Sequence, residues 1–162
     1  MSTTIQPSKP LSLVVALDDI RSHHNVGAIF RSADAFGVDE LLLGGITPCP
    51  PHRDIQKSAL GATESVPHKY HERLIDTISR YKKDGYVIIS IEQTESSIPI
   101  DSVIEKLESN AVIILGNEVK GVSSALLEVS DFHLEIPQYG VKKSLNVSVC
   151  VGICMYLISS QL

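Results

Sequence analysis

The sequence predicts an α/β fold: an open, mainly parallel sheet with helices on both faces. Two observations carry this. Five short runs, "LSLVVAL" (11–17), "DELLLGG" (39–45), "YVIISIE" (86–92), "AVIILG" (111–116) and "FHLEI" (132–136), are β-rich and nearly continuous in apolar residues, the pattern of strands covered on both sides. Helical periodicity separates them, and that alternation implies right-handed crossovers between parallel strands. With 162 residues, 43% of them hydrophobic, one domain with a substantial core is expected; two would each be marginal.

Taken in order, "MSTTIQPSKP" (1–10) reads as a flexible N-terminal segment, and 11–162 as the single domain. The stretch 24–37 places Val26, Ile29, Phe30, Ala33 and Phe36 at helical spacing, with Asn25 at the N-cap and Gly37 closing the C-terminus. "GGITPCPPHRD" (44–54) is an ordered surface loop by its prolines and glycines. A helix over 71–85 follows from Leu74, Ile75, Ile78 and Tyr81, closed by Gly85, and weaker helices are expected at 52–60, 101–108 and 122–129. From Leu145 to Ile153 every second residue is branched and apolar, but Asn146, Ser148, Cys150 and Gly152 between them form no polar strand face. A helix capped by Ser144 is the better reading, with Ser144, Ser148 and Gly152 as one small face and burial on nearly every side.

No stretch approaches the ~18 continuous apolar residues of a membrane helix, and no apolar run follows a basic start. A soluble, cytoplasmic protein is expected. Three cysteines without CxxC spacing, and six histidines without ligand spacing, predict neither disulfides nor a metal site; Cys150 and Cys154 read as small core residues. A net charge of −5 argues against bulk electrostatic binding of nucleic acid. The distribution is uneven, however: residues 50–83 hold seven bases against four acids, and residues 84–135 two bases against ten acids. Such a block is either a basic face on an acidic protein or a solvated surface.

Three stretches hold residues suited to chemistry. In 24–37, Arg31 lies four residues beyond Gly27, where a forked guanidinium beside bare backbone suits a phosphate or ribose oxygen. The simpler reading has Asn25 capping the helix and Arg31 pairing with Asp34 or Glu40. In "ILGNEVKGVS" (114–123) a buried strand ends in Gly116, Asn117 and Glu118, then Gly121, at the carboxyl end of a strand where ligand crevices of open sheets lie. Neither GxGxxG nor P-loop spacing is present. In the third, Pro137 and Gly140 frame a turn that leads through Lys142 and Lys143 to Ser144.

In this order, "HNVGAIFRSADAFGV", "LGNEVKGV" and "IPQYGVKKSLNVSV" closely resemble the three motifs of the SpoU/TrmH family of RNA ribose 2′-O-methyltransferases in the SPOUT superfamily. The likeness runs from about Leu11 to Leu162 and resembles the catalytic domain without the N-terminal RNA-binding domain some members carry. It implies a C-terminal deep trefoil knot, S-adenosylmethionine as cofactor with no metal, transfer or ribosomal RNA as substrate, and a homodimer. The resemblance puts cofactor binding at Leu115, Gly116, Asn117, Gly121, Ile136, Pro137, Gly140, Leu145 and Asn146. It puts catalysis at Arg31, with Asn25, Glu118, Ser144 and Asn146 orienting ribose and arginine. A guanidinium stays protonated, so Arg31 is expected to stabilise a developing alkoxide and grip a phosphate, with Glu118 as the candidate proton acceptor. Gln138 and Tyr139 stand where many members carry a methionine. Two rivals remain: a flavodoxin-like small-molecule domain that needs neither Arg31 nor Asn146, and a knotted RNA-binding or ribosome-assembly factor that has lost turnover.

Overall fold

The computed structural model describes residues 11–161. Segment 1–10, expected to be flexible, lies outside the described residues. Seven strands form one sheet in the order β3-β2-β1-β6-β4-β7-β5, with every pairing parallel. They are β1 (Leu13–Asp18), β2 (Glu40–Gly44), β3 (His68–His71), β4 (Val87–Ile91), β5 (Ile98–Pro99), β6 (Ala111–Gly116) and β7 (Phe132–Glu135). The helices are α1 (His23–Ala35), α2 (Arg53–Ala59), α3 (Ala62–Ser65), α4 (Leu74–Lys83), α5 (Asp101–Ile104), α6 (Ser124–Val129) and α7 (Val147–Ser159).

Four of the five continuous apolar runs fall at the centre, as β2, β1, β6 and β4; the fifth forms β7, beside the edge strand β5, and buries only Leu134 there. All six β1 residues are buried, and its side chains alternate between two layers. Leu13, Val15 and Leu17 join Ile113 and Leu115 under Val26, Ile29, Phe30, Val151, Met155 and Ile158 of α1 and α7. Val14 and Ala16 join Val112 and Ile114 under Leu74, Ile78 and Leu126 of α4 and α6. A strand covered by helices on both sides has no polar face to keep.

Sequence and structure part at several ends. The helix expected from 71 starts at Leu74, because His71 belongs to β3 instead, paired with Gly44. Strands β3 and β5 and the short α3 were not expected. β3 is the edge strand "HKYH" and β5 has two residues, so neither carries an apolar run. The 101–108 helix keeps only Asp101–Ile104. Asn25 does not cap α1: Ser22 does, its Oγ accepting from the Asn25 amide at 3.1 Å. Ser144 does not cap α7: Asn146 does, its Oδ1 accepting from the Ser148 amide at 2.9 Å.

Gly27 faces another helix rather than a ligand. A Cβ there would collide with Ser58 and with the Ile55 carbonyl of α2, so the glycine lets α1 and α2 meet at backbone distance. Gly152 of α7 plays no such part: a Cβ there would meet Ser32 Oγ of α1 at 3.6 Å, an ordinary contact distance. The remainder of α7 is not buried all round: Val149 is 51% and Tyr156 59% exposed.

Candidate active site

The first wall of the site is the turn from β1 into α1. Asp19 adopts a left-handed backbone (φ 55), a conformation that aspartate tolerates better than most residues. Two contacts hold it there. Asn117 Nδ2 donates to the Asp19 carbonyl at 2.7 Å, and Asp19 Oδ1 accepts from the Ile46 amide at 2.9 Å. The backbone then swings the Arg21 and Ser22 amides towards the turn beyond β6.

That second turn, Gly116 to Gly121, is a tight closed loop. Asn117 and Gly121 exchange both backbone hydrogen bonds, and Asn117 Oδ1 accepts from the Val119 and Lys120 amides, each at 2.9 Å. A Cβ on Gly116 would strike the Gly121 and Val122 backbone, and one on Gly121, at φ 73, would strike the Glu92 carboxylate. Only glycine fits either place. Glu92, just past β4, fastens the loop from the other side by accepting from the Val122 amide at 2.9 Å.

Glu118 joins the two turns. Its carboxylate accepts from the Arg21 amide at 3.0 Å, the Ser22 amide at 3.2 Å and Asn25 Nδ2 at 3.4 Å. Partial burial works to raise its pKa, and the amides of Arg21, Glu118 itself and Ser22, with the Asn25 side chain, outweigh that and hold it below the ordinary value. Asn25 Oδ1 in turn accepts from Asn146 Nδ2 at 3.2 Å, and Asn146 Oδ1 caps α7. One hydrogen-bonded chain, Glu118–Asn25–Asn146, therefore ties together the three stretches singled out in the sequence.

Beside this chain a cavity of about 480 Å³ opens over the carboxyl ends of β4, β6 and β7, within the size range of small-molecule sites. Leu115, Gly116, Asn117, Glu118, Gly121, Ile136, Ser144, Leu145 and Asn146 line it. Pro137 and Gly140 do not; Gly140 is exposed, with nothing within 4 Å of its Cβ position. Glu92, Gln93 and Glu135, which the sequence reading had passed over, also line it, together with Gln138, noted there as a departure from the family's methionine, and Cys150, read there as a core residue. The missed signal was position: Ile91 to Gln93 follow a buried parallel strand as Gly116 to Glu118 do. Cys154 is wholly buried, as expected, but Cys150 faces the cavity.

Arg31 stands apart. It is exposed, and six helical residues separate it from Asn25, about 9 Å of axial rise and two-thirds of a turn round. Neither expected ion pair forms: Asp34 accepts from Ser65 Oγ and Glu40 from the Tyr81 hydroxyl. Within one chain, the structure brings Asn25, Glu118 and Asn146 together, places Ser144 at the cavity, and leaves Arg31 on the outer face of α1.

An open parallel sheet with a cavity at its strand ends, rimmed by glycine-dependent turns, is the arrangement in which α/β domains of the doubly wound class carry their ligand crevice. The chain belongs to the SpoU rRNA Methylase family, which matches residues 12–156. It is 33% identical over 157 residues to the 23S rRNA (guanosine-2′-O-)-methyltransferase RlmB of Coxiella burnetii, an alignment covering 93% of this chain and 59% of that protein. The chain thus spans 57–59% of the length of such curated relatives. Among solved structures it resembles the A. aeolicus TrmH/SpoU tRNA modifying enzyme (TM-score 0.82, 28% identity, 95% of this chain and 76% of that one). It also resembles an AdoMet-bound rRNA methyltransferase from Sinorhizobium meliloti (TM-score 0.82, 25% identity, 98% of this chain and 59% of that one).

Proposed function

We propose that this protein binds S-adenosylmethionine in the 480 Å³ cavity and methylates a ribose 2′-hydroxyl of transfer or ribosomal RNA. The observation that carries the reading is the Glu118–Asn25–Asn146 chain at the cavity rim. The cavity suits the cofactor in two ways. The turn of Gly116 and Gly121 that lines it is so close-packed on itself that its backbone is fixed in advance, and Glu92, Glu118 and Glu135, against the single lysine Lys143, put an excess of carboxylates round a space that must receive a cation. A relative's solved structure contains the same cofactor, and relatives named for 23S rRNA and for tRNA support either RNA pool.

The cofactor supplies a methyl already activated on a sulfonium, so the residues of this chain have to position a hydroxyl and stabilise its oxygen as the proton leaves. Asn25 and Asn146 present polar side-chain groups at the rim, held by Glu118 on one side and the start of α7 on the other. Glu118 is better suited to anchoring than to taking the proton, because its four donors favour the anion and weaken it as a base. Arg31 is assigned the phosphate and the developing alkoxide.

That assignment requires a second subunit, since Arg31 is remote from the cavity of its own chain. We therefore include a homodimer in the reading, with the exposed α1 face around Arg31 and the exposed Val149 and Tyr156 of α7 facing the partner. The C-terminal trefoil knot belongs here too. Its support is the return of the chain from β7, beyond β4, to α7 against α1, past a turn so tight that Gly116 touches Gly121.

The test is methyl transfer from labelled S-adenosylmethionine to separated unmodified transfer and ribosomal RNA, with mass spectrometry of the nucleosides. A 2′-O-methylated nucleoside from one pool is the expected result. Cofactor binding without transfer to either pool would favour the assembly-factor reading.

A further inference from the structure

We infer that the His23–His52 ring pair, beside the cavity rim, is an RNA subsite that receives an unpaired base flanking the target nucleotide. The inference rests on the RNA reading above and extends it to a surface that reading does not use. The sheet order gives the layout. The cavity lies over β4 and β6, the Glu118–Asn25 contact over β6 and β1, and the next strand ends outward, those of β1 and β2, carry the histidines.

His23 opens α1 within one turn of Asn25, and His52 caps α2. Their ring centroids lie 4.1 Å apart with a 37° tilt. The pair is held in place from below. His52 Nδ1 accepts from the Asp54 amide at 3.1 Å, and Ser58 Oγ donates to the His24 carbonyl at 2.9 Å where Gly27 lets the helices touch. Because α1 and α2 are already locked by that contact, the ring pair is not needed to join them. An aromatic surface fixed before the ligand arrives loses little entropy on binding.

The turn that precedes α1 adds exposed apolar surface, Ile46 (66%) held through Asp19 Oδ1 and Val119 (77%) through Asn117, and the charge next to His52 fits a nucleic-acid backbone. Arg53 and Lys57 share one carboxylate, Asp54, at 3.8 Å and 3.6 Å, which leaves positive charge beside the rings. Stacking surface with adjacent cations is how proteins take splayed-out bases of single-stranded RNA.

The experiment measures binding of a labelled oligoadenylate of about twelve nucleotides, with calorimetry of S-adenosylhomocysteine reporting on the cavity. The double variant His23→Ala with His52→Asn removes both rings and keeps a side chain able to cap α2. It is expected to lose roughly five- to a hundredfold in oligomer affinity, with the salt slope and the cofactor-product affinity unchanged. His23→Phe should stay within about threefold of wild type. A double variant that binds as wild type does, or a phenylalanine variant as weak as alanine, overturns the subsite. Wild-type protein that binds folded transfer or ribosomal RNA but not the oligomer overturns the subsite alone, and failure to bind any RNA overturns the RNA reading with it.

Discussion

Two parts of the cavity wall are built in opposite ways. The turns beyond β1 and β6 are saturated with internal hydrogen bonds: the side chains of Asp19, Asn117, Glu118 and Glu92 each accept from backbone amides. Residues 136–145, which cover the same cavity from the β7 side, form none among the described residues. Tyr139 is 96% and Val141 95% exposed. The difference separates two jobs. Groups that orient a reacting hydroxyl must be in place beforehand, because a misplacement of about 1 Å can cost a hundredfold in rate. A covering segment gains from being ordered only when ligand, RNA or a partner supplies its contacts.

The largest effects are expected at Arg31 and in the rigid wall. Arg31→Ala should lower methyl transfer by a factor of about a hundred to a thousand while cofactor affinity holds; activity within about tenfold of wild type would remove Arg31 from the mechanism. Glu118→Gln should approach the same loss, because the Arg21 and Ser22 amides lose their charged acceptor. Its pH signature distinguishes anchoring from proton transfer. A carboxylate with a depressed folded pKa contributes stability above the ordinary 4.5 and loses it as pH falls through the folded value. The melting temperatures of wild type and Glu118→Gln should therefore differ at pH 7 and converge as the pH falls below 4.5 and through the folded value.

Next in size is Asn146, where two roles can be separated. Asn146→Asp keeps an acceptor for the α7 amides but cannot donate to Asn25 Oδ1. Stability should stay within about 0.5 kcal/mol, while turnover falls roughly ten- to a hundredfold. Asn146→Ala should lose the cap as well, at about 1 kcal/mol by chemical denaturation. Equal stability of the two variants would show that α7 does not depend on this cap.

For the loose segment the expectation reverses. Replacing Lys142 and Lys143 with alanine should leave the melting temperature unchanged, since both are exposed and make no hydrogen bond or ion pair among the described residues, and should weaken RNA binding with a shallower salt dependence. An unchanged salt slope would return these lysines to the solvated surface. Saturating cofactor should also slow proteolysis between Ile136 and Asn146, and equal cleavage with and without it would show that the segment is not ordered by ligand.

The same contrast explains what could be read in the sequence. β1, β4 and β6 were legible because strands buried on both faces need unbroken apolar runs, and α1 and α4 because one stripe of each must face the sheet. β3 and β5 were not, because an edge strand such as "HKYH" buries too little to leave a pattern. In the site, Asn25, Glu118 and Asn146 were identified but their partners were not. That Asn25 is turned towards Glu118, and Asn146 towards Asn25, depends on turns meeting from positions 93 and 121 residues apart; the caps at Ser22 and Asn146 are local contacts, where the sequence offered neighbouring capping residues and the wrong ones were chosen. Gly27 was misread for a related reason. A glycine's bare surface shows in sequence, but what approaches it, here Ser58 and Ile55, does not.

The smallest expected effect concerns what the rigid wall costs. Asp18, at the end of β1, is 7% exposed and accepts from the Ser123 amide at 2.8 Å. Burial raises its pKa, and the hydrogen bonds from Ser123 oppose that only in part. A carboxyl with a raised folded pKa penalises the folded state above the ordinary 3.8, and the penalty disappears below that value, where folded and unfolded forms are both protonated. Asp18→Asn keeps an acceptor for Ser123 and removes the buried charge. Its melting temperature should therefore exceed wild type by about 2 °C near pH 7, with the gain shrinking to nothing towards pH 3.8. A variant less stable at every pH would mean that the Ser123 amide needs the charged acceptor to hold the β6 turn, and that the wall is stabilised by the ion rather than built in spite of it.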